Sequence, residues 1–223
     1  MIIGNNKSTS FVERPEHKVC ISDFYLCEIP VTQRLWISVM GNNPSFFQGS
    51  SRPVEQVSWL DTRRMIEKLN QNDELLRFFE DQDLGVLKFR LPTESEWEYA
   101  ARGGVYHQGY EFSGSDRLEQ VGWHKNNSKN QTKPVKELEA NELGLFDMSG
   151  NVWEWCEDDW HGSYQNAPDD STPWVDAPRN SVRVFRGGAF YYDSYFCSVF
   201  YRGGDEAEVK YNSIGFRLAL SYL

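Results

Sequence analysis

The chain has 223 residues, 39% of them hydrophobic and 25% charged, the balance of a globular protein able to bury roughly 70–75% of its unfolded surface. Its 33 acidic residues outnumber 23 Lys and Arg, and a net charge of −10 argues against nucleic acid or an anionic membrane as the main partner. No apolar run of about 18 residues occurs, so no membrane-spanning helix is expected.

The opening, MIIGNNKSTS, has neither the basic region nor the apolar stretch of a secretory signal. Thr32 caps a predicted helix through Met40, with Leu35, Trp36 and Val39 on one face and Gly41 as its stop. A second helix starts at Ser58 and brings Leu60, Met65, Ile66 and Leu69 to helical spacing. A third follows Pro92, where Thr93-Glu94-Ser95-Glu96 forms a capping box and Gly103-Gly104 ends the period. Beyond it, residues 105–180 are rich in Gly, Asn, Asp, Ser and Pro, a loop-rich stretch that needs stitching by side chains. Trp97, Trp123, Trp153, Trp155, Trp160 and Trp174 are the natural stitches, each with a large area to bury. VRVFRGG and SIGFRLAL read as two strands, alternating about Arg183 and Arg217. The whole is expected to be one α+β domain, residues 1–223.

Cys20, Cys27, Cys156 and Cys197 have no CxxC spacing. The spacing supports buried free thiols, with a single disulfide as the alternative. His17, His107, His124 and His161 are scattered and form no ligand set.

The segment RGGAFYYDSYFCSVFYRGG, residues 186–204, concentrates aromatic side chains without a helical or strand period. Three readings compete: a core, a redox site around Cys197, or a contact surface. Phe190, Val199 and Cys197 suit an inward position. The adjacent pairs Tyr191-Tyr192 and Tyr195-Phe196 do not, because neighbouring residues of an extended chain point to opposite faces. Tyr, Ser, Gly, Asp and Phe together make the composition of a paratope, in which rigid aromatics supply area at low entropic cost.

Six blocks carry a resemblance: ERPEHKV (13–19), VEQVSWLDT (54–62), RLPTESEWEYAARGG (90–104), GLFDMSGNVWEW (144–155), RVFRGG (183–188) and IGFRLA (214–219). In this order they resemble the formylglycine-generating-enzyme (sulfatase-modifying-factor) family across almost the whole chain. The resemblance implies a C-type-lectin-like fold, loop-rich around a small antiparallel sheet. It also implies copper-dependent oxidation at a C-x4-C pair, but here the second cysteine falls on Cys197 and the first on Tyr192. A phenol does not replace a thiolate, so the oxidase chemistry is expected to be absent. Sulfoxide synthases of the same fold typically add a separate domain with an iron-binding histidine set, for which these 223 residues are expected to have no room. The DMSGNVWE loop matches a structural calcium site, in which Gly150 and Val152 would offer carbonyls and Glu154 a carboxylate. The other reading of that loop is hydrogen bonding alone, by Asn151 and Glu154.

Residues 189–205 contain no Trp, Met, Lys, Gln or Glu. Adenine-directed mutation of Asn-type codons omits those five residues, and the position matches the C-terminal variable region, about 184–220, of diversity-generating-retroelement variable proteins. The chain is therefore expected to be a non-catalytic binder of an external protein ligand. The contact residues are Tyr191, Tyr192, Asp193, Tyr195, Phe196, Ser198, Tyr201, Gly203, Gly204, Val209, Tyr211 and Ser213. No cofactor is expected beyond that calcium. The resemblance implies action at the cell surface or outer membrane, which requires a leader or lipidated cysteine not seen in this sequence; otherwise the location is cytoplasmic. The alternatives are a copper-dependent oxidase of the formylglycine-generating or sulfoxide-synthase type and a structural partner subunit.

Overall fold

Local capping chemistry sets where the longer helices begin. In a computed structural model that describes residues 1–82 and 84–222, α1 spans Gln33–Met40, its Thr32 side chain accepting the Leu35 N–H and Gly41 closing it at φ 79°. Helix α2, Trp59–Asn70, opens on a full capping box between Ser58 and Asp61. Helix α3, Asp73–Asp81, was not expected; Asn72 caps it, but it buries none of its residues. Helix α4, Glu94–Ala101, opens on the Thr93–Glu96 box, and α5 is one turn, Leu118–Val121. Leu35, expected on the inner face of α1, is exposed, whereas Trp36 is buried.

The strands are short. β1 (Ile2–Ile3) pairs with β2 (His17–Lys18). β3 (Tyr25–Leu26), β4 (Leu87–Arg90) and β9 (Ala219–Tyr222) form a three-stranded sheet in the order β3-β9-β4. β5 (Trp153–Asp159), β6 (Val182–Arg186), β7 (Arg202–Glu206) and β8 (Ile214–Phe216) form the central sheet in the order β7-β6-β5-β8. The β5–β8 pair is parallel and the other pairs of that sheet are antiparallel. β5 is covered on both faces. Trp153 and Trp155 enter the main core with α1 and α2, while Cys156 joins Trp97, Ala100 and Ala101 of α4.

SIGFRLAL is not one strand. It changes sheets at Arg217, whose fully buried guanidinium pairs with Glu154 and donates to the carbonyls of Cys27 and Phe146. A charge held by carboxylate and carbonyls ends one strand and starts the next, which alternation alone does not reveal. The loop stretch is stitched by asparagines as much as by tryptophans. Asn141 donates to the Ala100 carbonyl (2.8 Å) and accepts from Leu143 and Leu145 N–H. Asn151 accepts the Lys133 N–H at 2.9 Å. Trp97, Trp153 and Trp155 are buried, while Trp123, Trp160 and Trp174 are half-buried. None of the four cysteines is paired with another; Cys156 and Cys197 are buried, Cys27 is partly covered and Cys20 is exposed.

Buried carboxyls give stability a defined pH profile. Burial raises the Asp158 carboxyl to about 8, the neighbouring Glu94 adding to the rise. Burial likewise raises Asp147 to about 6. Glu94 goes the other way: burial alone would raise it, but Arg202 and Arg186 outweigh burial and bring it down to about 2. The raised groups favour the fold most when protonated, so their contribution is complete below the unfolded value of 3.8 and is lost as pH climbs from there through 6 and 8. The Glu94 contribution is complete above its unfolded value near 4.5 and fades as pH falls toward 2. Urea unfolding midpoints are therefore expected to peak near pH 4, to fall toward pH 2 as Glu94 protonates, and to fall toward pH 8.5 as Asp147 and Asp158 ionise; a midpoint still rising between pH 5 and 8.5 contradicts these assignments.

Candidate functional site

The aromatic segment leaves the sheet at Arg186, the end of β6, and returns at Arg202, the start of β7. Both guanidiniums are buried and both reach Glu94 at the start of α4. Arg186 donates to Glu94 Oε1 (2.7 Å), Glu98 Oε2 (2.8 Å) and the Val199 carbonyl (2.7 Å). Arg202 donates to Glu94 Oε2 (2.7 Å) and the Val12 carbonyl (2.7 Å). The Tyr164 ring lies 3.9 Å from the Arg202 guanidinium, and its hydroxyl accepts from Arg186 at 3.1 Å. Residues 187–201 are thus clamped at both ends by one carboxylate. Within the segment the chain doubles back over Gly188 (φ 77°). A Cβ there would sit 2.6 Å from Cys197 Sγ and 2.7 Å from the Phe196 carbonyl, so only glycine permits the fold.

The clamp sorts the side chains. Phe190, Cys197 and Val199 point inward and are buried, as expected. Tyr191, Tyr195 and Tyr211 are 37%, 51% and 47% exposed, and Asp193 is exposed beside Lys125 (3.2 Å). Tyr192, Phe196 and Tyr201 are half-buried: Tyr192 and Tyr201 pack on Trp153, with ring centroids 5.3 Å and 5.6 Å away, and Phe196 packs on Tyr192 and Tyr201 at 5.1 Å and 5.0 Å. These rings, with Trp160, Phe185, Gly203 and Gly204, line an open groove of about 500 Å³.

Two expected contact residues are not at this face. Ser198 is buried, its hydroxyl accepting the Phe200 N–H, and Ser213 is buried beneath the Tyr191 hydroxyl. Val209 packs against the main core. Gly203 and Gly204 have a packing role as well: a Cβ would meet the Phe185 ring at 2.1 Å and the Trp160 ring at 2.7 Å. Trp153, Trp160 and Phe185 are groove residues that the sequence reading treated as scaffold or did not name. The alternation of β5 and β6, once paired, is the signal that points Trp153 and Phe185 to one face, 5.0 Å apart.

Neither metal suggested by the resemblance fits the residues present. Burial pushes the Cys197 thiol up to about 12, which keeps it protonated near neutrality. Burial, with the hydrogen bond from Tyr191, pushes the Tyr192 phenol up to about 12. A buried thiol and a neutral phenol do not make a two-thiolate copper site. Both oxygens of buried Glu154 are engaged, Oε1 by Arg217 (2.9 Å) and Oε2 by Trp97 Nε1 (2.8 Å) and Arg217 Nε (3.0 Å). A guanidinium already neutralises the carboxylate that calcium would need. Among the described residues no cluster of three His, Cys, Asp or Glu side chains is arranged to hold a metal ion.

Comparison with known proteins gives the fold its relatives. The sulfatase-modifying factor enzyme 1-like domain matches residues 2–222. The chaperone protein LppX of Paenibacillus barcinonensis is 36% identical over 229 residues, covering 85% of this chain and 77% of that protein. The formylglycine-generating enzyme of Streptomyces coelicolor is 35% identical over 150 residues, but the match spans 58% of this chain and only 46% of the enzyme. Among solved structures, Treponema denticola variable protein 1 superposes with a TM-score of 0.84 at 32% identity, covering 98% of this chain and 91% of that one.

Proposed function

From the premise that this chain belongs to the sulfatase-modifying factor enzyme 1-like domain family, we propose that it is a non-catalytic binding protein of the variable-protein kind. It presents residues 187–201 and the β7–β8 connection as a diversified contact face for a protein ligand, at the cell surface. The observation that carries this reading is the two-ended clamp. Arg186 and Arg202 meet on Glu94, so the backbone path of the segment depends on residues outside it, and Tyr191 and Tyr195 are free to differ. The likeness to a variable protein supports diversification, and the likeness to a protein named as a chaperone supports a polypeptide ligand. Exposed aromatic rings of this kind dominate binding energy where they anchor an interface.

The test combines Tyr191→Ser, Tyr195→Ser and Tyr211→Ser. Exposed positions away from caps and core move stability by about 0.5 kcal/mol each, so the unfolding temperature is expected to shift by only a few degrees. Binding to partners selected from displayed extracellular domains is expected to be lost. A variant that unfolds, or one that keeps full affinity, overturns the reading.

A further inference from the structure

A second recognition element lies beside the aromatic face. Residues 125–136, KNNSKNQTKPVK, carry four lysines and no carboxylate in a chain of net charge −10. The loop is held in place. The Ser128 hydroxyl donates to the Phe190 carbonyl (2.7 Å) and the Lys125 N–H to the Tyr192 carbonyl (3.0 Å). The Val135 N–H donates to the Ser51 carbonyl (2.9 Å). The first two bonds fasten it directly to the backbone of the aromatic segment, and the third ties it to the loop that follows α1.

Arg52 reaches the same loop from the other side, donating to Thr132 Oγ1 (3.4 Å) and Gln131 Oε1 (3.3 Å), both neutral partners. Lys133 Nζ sits 5.5 Å from the Trp123 ring centroid. Lys125 and Lys136 are paired with Asp193 and Glu28, but Arg52, Lys129 and Lys133 form no ion pair among the described residues. Desolvation, then repulsion from Lys129 and Arg52, holds the Lys133 ammonium below the usual lysine range. Glu137 acts on Lys133 and Arg52 acts on Glu55, but neither carboxylate forms an ion pair with them, so the three neighbouring cations leave a local positive field that a carboxylate-bearing ligand would relieve.

We propose that Arg52, Lys129 and Lys133 form an anion-recognition patch that takes a short acidic segment of a protein partner. The patch goes beyond the aromatic face and works by different chemistry. Its small extent decides the ligand class. Screening limits each charge to about 8 Å at physiological salt, so a few carboxylates on a peptide fit within it. A nucleic-acid duplex runs on past it into Glu137, Glu139 and the acidic remainder of the surface.

The probe is a fluorescent hexaglutamate peptide, with hexaglutamine and a 12-base-pair DNA duplex as comparisons. Hexaglutamate is expected to bind at 20 mM salt, to weaken at least tenfold by 200 mM, and to be lost in K129E/K133E. Binding is expected to survive in K7E/K18E, which alters the same number of charges in the amino-terminal hairpin, and in Tyr195→Ser. If K129E/K133E fails to fold, Arg52→Gln serves in its place, with an expected loss of at least threefold. Equal binding of hexaglutamine, tighter binding of the duplex, or indifference to the patch substitutions overturns the proposal. Because Tyr195→Ser tests the aromatic face alone, the two proposals fail separately.

Discussion

Glu94→Ala is expected to cost about 3–5 kcal/mol, the price of leaving buried guanidiniums without their carboxylate. Glu94 is 4% exposed and receives Arg186, Arg202 and the Tyr164 hydroxyl. Glu98 still holds one arm of Arg186 after the change, but Arg202 keeps only the carbonyls of Val12 and His161. Domains are stable by about 5–15 kcal/mol in all, so the variant sits near the limit of folding. Glu94→Gln keeps the shape and removes the charge, and is expected to lose nearly as much. The diagnostic readout is amide exchange: residues 187–201 are expected to lose protection before α2 does. An unfolding midpoint within about 0.5 kcal/mol of the parent contradicts the clamp, since that is the scale of a surface change.

Phe216→Ala is expected to cost about 3–5 kcal/mol by emptying a site that cannot collapse. Phe216 is fully buried in β8, where it pairs in register with Trp155 and meets the Trp36 ring edge-on at 6.1 Å. Its neighbours include Trp36 of α1 and Trp155 of β5, and its carbonyl accepts the Val31 N–H, so the cavity opens inside the main core. The loss is expected to be global, with every protected amide affected together, unlike the local loosening expected at Glu94. Chemical denaturation with exchange readout separates the two, and a cost under about 1 kcal/mol would place Phe216 outside the core.

What was legible in the sequence is what local chemistry determines. Thr32, Ser58 and Thr93 announce three helices because a cap is satisfied by residues two or three positions away. The inward position of Phe190 was legible as well, through the family resemblance, which implies an aromatic there, and Val199 is buried as expected. The break at Arg217 was not, because the partner that buries its charge, Glu154, lies 63 residues earlier. The groove shows the same limit: Trp153 and Phe185 line it only once β5 and β6 pair. Ser198 and Ser213 look like paratope residues by composition, yet both are buried, Ser198 accepting the Phe200 N–H and Ser213 lying under the Tyr191 hydroxyl. Helix α3 escaped notice because its acidic ends mask a short apolar stripe that packs only Leu75 and Phe79 on the core.

The central claim is that the scaffold displays residues whose identity it does not need. The most direct measurement is the folded fraction of a library randomised at Tyr191, Asp193, Ser194, Tyr195 and Tyr211, scored by protease resistance. A second library of equal size, randomised at Phe190, Cys197, Val199, Arg202 and Phe216, provides the comparison. The account predicts that most members of the first library fold, whereas few of the second do. Comparable loss in both libraries would contradict it, because the segment would then be core and not a displayed face.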